Sequence, residues 1–247
     1  MNKISVILIT KDEECRIRQA LQSVQWLDEI ILVDSASQDK TIQIAKEFTD
    51  KIYFREFDDF SSQKNFAISK CSNDWVLSLD ADEEVSEQLK ERIKSLDLSS
   101  KAGYRIRRQT YIFKRLMKYG GHSKDFPLRV FDKNKGCFVQ PIHEFVEIPG
   151  KIGLIDAPII HYSSENLHEY SQKLNAYTDL EVKFLLQNNT KFSYTKIILI
   201  PILRFFQRYL LQRGFLDKME GFIFYTMSGF YEFLKWSKYW QKVRGHK

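Results

Sequence analysis

Apolar positions follow two rhythms along the first hundred residues. Short, mostly apolar runs at 4–9, 29–33, 52–54 and 75–79 have the length and composition of strands buried on both faces. Between them apolar residues recur at helical spacing. Ile17, Leu21 and Val24 mark a helix over 13–24, and Ile42, Ala45 and Phe48 mark one over 41–48. Further helices are predicted over 63–70 and 85–93. Strands alternating with helices predict a parallel sheet covered on both faces. Residues 103–165 change to strand-rich, basic and aromatic sequence broken by Gly120-Gly121, Gly136 and Pro149-Gly150. Residues 166–247 read as helical and strongly aromatic, with Pro201 predicted to kink or restart a helix over 195–213.

Composition narrows the class. At 247 residues with 43% hydrophobic content, the chain can bury the core of one large domain, or of one domain with an appendage. The net charge of +6 points to an anionic partner. The basic residues cluster at Arg105, Arg107, Arg108, Lys114, Arg115 and Lys118 and again near the C-terminus, which suits a phosphate-rich small substrate or an anionic membrane surface. No zinc-knuckle spacing or RNP-like motif is present, so nucleic acid is not an expected partner. Three widely separated cysteines, Cys15, Cys71 and Cys137, suggest neither a disulfide framework nor a zinc site, and fit a reducing cytoplasmic compartment. The opening apolar run is too short for the core of a signal peptide, and no uninterrupted apolar run reaches eighteen residues, so no spanning helix is expected.

The chemistry concentrates at strand ends. Asp80 and Asp82, in Leu79-Asp80-Ala81-Asp82-Glu83, follow the apolar run 75–79, and α/β folds bind ligands at such strand exits. Paired hard oxygen ligands suit Mg²⁺ or Mn²⁺ held against a diphosphate. The alternative is local: Asp82, Glu83 and Glu84 precede the helix predicted over 85–93 and would complement its dipole. Asp34 directly terminates the second strand, whereas Asp39 is also placed to cap the next helix. There is no G-x-G-x-x-G loop, so a nucleotide here would be held through its base, its ribose and a metal. Arg129, inside the apolar Leu128-Val130-Phe131 run, must be paired, either with a sugar diphosphate or with a core carboxylate.

Four segments in order, 5–14, 33–41, Gln63-Lys64-Asn65 and 79–83, resemble the successive signatures of family 2 inverting glycosyltransferases of the GT-A fold. Within that family the chain is similar to the lipopolysaccharide inner-core β-1,4-glucosyltransferase group, through Arg107, Gly120-Gly121, residues 128–131, Gly136, His143-Glu144 and 214–217. The resemblance implies an α/β, Rossmann-like mixed sheet with helices on both faces and a helical C-terminal extension. It implies a catalytic domain over 1–165, with a nucleotide-binding half over 1–100 and an acceptor half over 101–165, followed by an amphipathic helical region over 166–247.

The resemblance also implies roles. Asp34 would contact uracil, Asp80 the ribose or the metal-bound diphosphate, and Asp82 the cation. Thr10 and Glu13 would line the nucleotide pocket, and Lys64 and Asn65 would approach the nucleotide or diphosphate. His161, ending the apolar run 159–160, matches a further metal ligand, although a lone histidine at a strand end is often structural. An inverting transfer needs a base for the acceptor hydroxyl. Glu144 occupies the matching position, and Asp125, in the 120–125 loop, is the second candidate. The residue between Ser35 and Ser37, usually glycine in the family, is Ala36 here.

The C-terminal region carries Lys196, Arg204 and Arg208 on one i, i+4 stripe beside many aliphatic and aromatic residues, the pattern of a helix lying in a membrane interface. Packing on the catalytic domain or in a homodimer is the alternative. The combined expectation is a metal-dependent hexosyltransferase, peripheral on the inner face of the cytoplasmic membrane. It would move glucose from a UDP-sugar to a lipopolysaccharide core glycolipid. A transferase for another polymer or peptide acceptor, and a non-catalytic sugar-nucleotide or glycan-binding module, remain as alternatives.

Overall fold

A computed structural model describes residues 3–245. They form two compact units, one of residues 3–108 and 126–161, the other of 109–125 and 162–245.

The first unit begins β1 (Ile4–Thr10), α1 (Ile17–Val24), β2 (Glu29–Asp34), α2 (Thr41–Ala45), β3 (Ile52–Phe54), α3 (Phe60–Ser69) and β4 (Trp75–Ser78). β5 (Glu83–Val85) and α4 (Glu87–Lys94) follow. In chain order there follow β6 (Gly103–Ile112), β7 (Arg115–Leu116), which lies in the second unit, and then β8 (Leu128–Asp132), β9 (Cys137–Val139), β10 (Phe145–Glu147) and β11 (Ile152–Ser164). The sheet runs β3-β2-β1-β4-β8-β6-β11-β5. The β3-β2-β1-β4 portion is parallel, as the apolar runs predict, but β4–β8, β8–β6 and β11–β5 are antiparallel, so the sheet is mixed.

β1 and β2 carry apolar residues on both faces because both faces are covered. Val6 and Leu8 of β1 pack in one layer with Ile17, Leu21 and Val24 of α1 and with Leu89 and Ile93 of α4. Ile7 packs in the opposite layer with Ala67 and Ile68 of α3 and with Phe131 and Phe138. Burying one such side chain fully is worth about 1.5–3 kcal/mol.

The predicted elements shift at their ends. The helix expected over 13–24 starts at Ile17, because Glu13 and Glu14 are held in a turn where the Glu13 carbonyl accepts from Arg16 and Ile17. α3 starts at Phe60, earlier than expected, because the Asp59 side chain caps it through the Ser62 amide at 2.8 Å. The helix expected over 85–93 is a correction. Val85 belongs to β5, and the helix begins after Ser86, whose hydroxyl accepts from the Leu89 amide. Asp82, Glu83 and Glu84 are therefore not first-turn acids.

The second unit contains the outer end of β6 with β7, and the helices α5 (Leu167–Gln187), α6 (Tyr194–Phe206) and α7 (Lys218–Gly245). α6 passes through Pro201 without ending and continues into a wider π turn over Gln207–Leu211. Buried Asp217 accepts from the Lys118 and Tyr119 amides at 3.0 Å each and from the Tyr225 hydroxyl at 2.7 Å. Gly120 and Gly214 border the same ring: a Cβ on either would stand within 2.4 Å of Tyr225. The glycines and Asp217 that carried the resemblance here thus serve packing.

Candidate active site

The carboxyl ends of β1 and β2 are joined to the loops that follow. Thr10 pairs in register with Asp34, and the Ser35 amide donates to the Thr10 carbonyl at 3.0 Å. The loops are cross-laced: the Glu13 amide donates to the Thr41 hydroxyl, the Glu14 amide to Asp39, and the Lys40 amide to Glu14. Asp34 is fully buried, and its two oxygens accept from the Ser37 hydroxyl and amide at 2.5 and 2.9 Å. Ala36, inside that turn, lies in the left-handed region at φ 62°, a conformation glycine adopts without strain. The Thr10 hydroxyl is buried and has no hydrogen-bond partner among the described residues.

Around the end of β4 a cluster of charges is almost fully paired. Lys64 on α3 is only 3% exposed, and its Nζ donates to Asp80 Oδ1 at 2.8 Å and to Glu144 Oε1 at 2.6 Å. Asp80 Oδ2 accepts from Arg129 Nη2 at 2.8 Å, and the same nitrogen donates to Glu83 Oε1 at 2.5 Å. Glu83 also accepts from the Asp80 amide at 3.1 Å and lies 3.5 Å from Arg108. Desolvation alone would raise the Asp80 pKa, but the Arg129 and Lys64 charges outweigh it and hold this carboxyl well below its usual value. Burial likewise disfavours the Lys64 ammonium, and Asp80 and Glu144 reverse the balance and raise its pKa. Arg129 therefore answers the question its sequence position poses, since it pairs with carboxylates of its own unit.

Glu144 reaches this cluster from the segment after β9. Gln140 and His143, at φ 69° and 58°, are left-handed, at about 1–3 kcal/mol each. α3 fastens the segment: the Phe60 amide donates to the Pro141 carbonyl at 3.1 Å, and Asn65 exchanges two 2.9 Å hydrogen bonds with the Phe138 backbone. Both ends of the Asn65 amide are thus engaged on β9. Asp125 caps a short 3₁₀ turn, its amide donating to the His122 carbonyl, and belongs to the second unit.

The antiparallel β11–β5 register sets His161 opposite Glu83. His161 Nε2 consequently stands 3.5 Å from Asp82 Oδ2, with both side chains less than one-fifth exposed. Among the described residues no group of three or more His, Cys, Asp and Glu converges as a complete metal cage. A carboxylate beside an imidazole still fits a hard divalent cation whose other ligands come from a diphosphate and water, the usual arrangement for Mg²⁺ at phosphate sites. Glu83 and Arg108 join this cluster and were not among the sequence candidates, whereas Arg129, singled out by its charge inside an apolar strand, is held by Asp80 and Glu83.

Parallel strands carrying carboxylates at their ends, extended by antiparallel strands into one mixed sheet, are the architecture of the GT-A fold. The family model for glycosyl transferase family 2 matches residues 5–134, and the chain belongs to that family. It is an enzyme of the glycosyltransferase class. A Rickettsia typhi protein described as an uncharacterized glycosyltransferase is 33% identical, over 96% of this chain and 87% of its own length. The lipopolysaccharide core biosynthesis glycosyltransferase LpsC of Rhizobium meliloti is 25% identical, over 97% and 92%. Among solved structures, Staphylococcus aureus TarS 1–349 in complex with UDP-GlcNAc superposes with a TM-score of 0.50 at 15% identity, covering 99% of this chain and 92% of that one. Glucosyl-3-phosphoglycerate synthase from Mycobacterium tuberculosis, in complex with Mn²⁺, UDP and its product, gives 0.51 at 14% identity, covering 78% and 82%.

Proposed function

We propose that the chain is an inverting hexosyltransferase that moves glucose from UDP-glucose to a lipopolysaccharide inner-core acceptor. The observation that carries this reading is the sharing of one ammonium by Asp80 and Glu144. It sets a carboxylate distant in sequence beside the strand end that would receive the donor. The UDP-GlcNAc and UDP complexes of the two solved neighbours support the donor class, and the LpsC relative supports the acceptor class.

Glu144 is the base. It takes the proton of the acceptor hydroxyl as that oxygen bonds to the anomeric carbon, the bond from that carbon to the diphosphate oxygen breaks, and UDP leaves with the electron pair. Asp82 and His161 would hold Mg²⁺ or Mn²⁺, which when bound neutralises diphosphate charge. Thr10, Glu13 and Asp34 line the nucleoside side, and the paired Asp80 faces the ribose and diphosphate. Asp125 is the second candidate for the base.

A membrane-bound acceptor agrees with the second unit. No described helix is long and apolar enough to cross a membrane. Yet Ile198, Leu199, Leu203, Leu211 and Met219 are each more than half exposed. Asp217 is the lone acid between Lys191 and Met219, against six basic residues. We read this face as the contact with the anionic inner surface of the cytoplasmic membrane.

The test is calorimetric binding of UDP, UDP-glucose and GDP-mannose, with and without Mn²⁺, to wild type and Asp82→Ala. Metal-dependent uridine nucleotide binding that the variant loses is expected. Absence of nucleotide binding under every condition removes the reading.

A further inference from the structure

Lys64 is placed as no donor ligand needs to be. Its residue is 3% exposed, its ammonium bonds two carboxylates of the first unit, and the Phe138 ring centroid lies 5.2 Å from Nζ. α3 holds the Glu144 segment by other contacts as well, but the Phe60–Pro141 and Asn65–Phe138 hydrogen bonds fix only backbone. The Lys64 bond alone among these reaches the Glu144 carboxylate. The same Nζ holds Asp80, whose second oxygen is fixed by Arg129, itself anchored on fully buried Glu83. The chain Glu144–Lys64–Asp80–Arg129–Glu83 is thus continuous, and its inner end is rigid.

We propose that Lys64 is a positioning residue that sets the Glu144 carboxylate in register with the donor-side carboxylate Asp80, and does not itself bind the sugar nucleotide. The inference rests on the reading of Glu144 as the base. It replaces the nucleotide contact that the sequence resemblance implies for Lys64. Gln140 and His143, both left-handed, bracket a segment with little inherent preference for its observed path. Without the ammonium, the segment between its backbone anchors loosens and the carboxylate loses its aim, and misplacement by about 1 Å can cost a hundredfold in rate.

The experiment compares Lys64→Met, Lys64→Gln, Glu144→Gln and Lys64→Gln/Glu144→Gln. Lys64→Gln keeps a donor and most of the volume should Lys64→Met fail to fold. Three quantities are read: UDP affinity with Mn²⁺, release of UDP from UDP-glucose to water, and hydrogen exchange of residues 138–146 against residues 4–10. The expected result is roughly a hundredfold loss of kcat. UDP affinity and the KM for UDP-glucose should stay within about threefold, and exchange should accelerate in 138–146 alone. The double variant should be no slower than Glu144→Gln, because both changes remove one function. Full turnover in Lys64→Gln while Glu144→Gln is inactive overturns this inference and leaves the base assignment standing. A tenfold loss of UDP affinity at unchanged kcat returns Lys64 to the donor pocket. Faster exchange in both segments reduces it to a structural residue. Wild-type turnover in Glu144→Gln removes the base reading and this inference with it.

Discussion

His161 Nε2 lies 3.5 Å from Asp82 Oδ2, joining the strand β11 to the turn that follows β4. Both side chains are partly enclosed. If the pair holds the cation, His161→Ala and Asp82→Ala should each weaken Mn²⁺-dependent UDP binding by about tenfold or more, the scale expected for ligands of a metal site. Metal-free binding should be unchanged. Titration calorimetry at fixed UDP checks this, and equal Mn²⁺ dependence in wild type and both variants would place the cation elsewhere.

Arg129 offers the clearest stability test. Arg129→Met leaves Asp80 short of one partner and Glu83, which is fully buried, short of its closest cation. Removing one member of a buried pair costs about 3–5 kcal/mol. Urea unfolding should show a loss of that size, and a loss below about 1 kcal/mol would mean that the cluster relaxes or admits water.

Acid sensitivity should arise in part at the opposite end of β2. Desolvation would raise the Glu29 pKa, but hydrogen bonds from Lys51, Ser5 and Ser72 lower it from 4.5 to about 2. The folded value is the depressed one, so its stabilisation is complete above pH 4.5 and fades as the pH falls toward 2. The Lys51 side chain is 46% exposed, so screening limits the contribution to about 1–2 kcal/mol. Glu29→Gln should lower stability at pH 7 by that amount and flatten the acid limb of the stability curve in this window.

At Ala36 the strain is local. A left-handed alanine costs about 1–2 kcal/mol, against roughly 0.5–1 kcal/mol of extra chain entropy lost by glycine. Ala36→Gly should therefore raise stability by about 0.5–1 kcal/mol in thermal or denaturant unfolding, with the Ser37–Asp34 hydrogen bonds intact. A clear destabilisation would show that the methyl group contributes packing here.

The exposed apolar face of the second unit predicts co-sedimentation with vesicles containing anionic lipid. Leu203 and Leu211, at 63% and 80% exposure, do not support the fold, so Leu203→Asp/Leu211→Asp should abolish pelleting while leaving the circular dichroism unchanged. Wild type remaining in the supernatant at moderate salt would remove the membrane surface from the reading. Concentration-dependent dimerisation lost in the same variant would assign the face to a second copy.

The four parallel strands, the helices between them and the carboxylates at their ends were legible in the sequence because they depend on local order. A run such as Ile4–Thr10 carries apolar residues on both faces because helices cover both sides of it, and Asp34 closes β2 as it closes the apolar run. Segment 83–94 was less legible. Its acids and apolar residues suit one helix, but pairing of Glu83 with His161 and Val85 with Ile159 turns its start into a strand. Long-range pairing overrode local propensity there.

The sequence by itself determined that carboxylates would gather at the ligand-binding edge of an α/β sheet, and that Arg129 would need a partner. Which groups meet depends on the folded chain: Lys64 with Asp80 and Glu144, Arg129 with Asp80 and Glu83, and His161 with Asp82. The physical reason is separation along the chain. Periodicity and caps act over a few residues, whereas these ion pairs join groups 16 to 80 residues apart and exist only once the strands are in register.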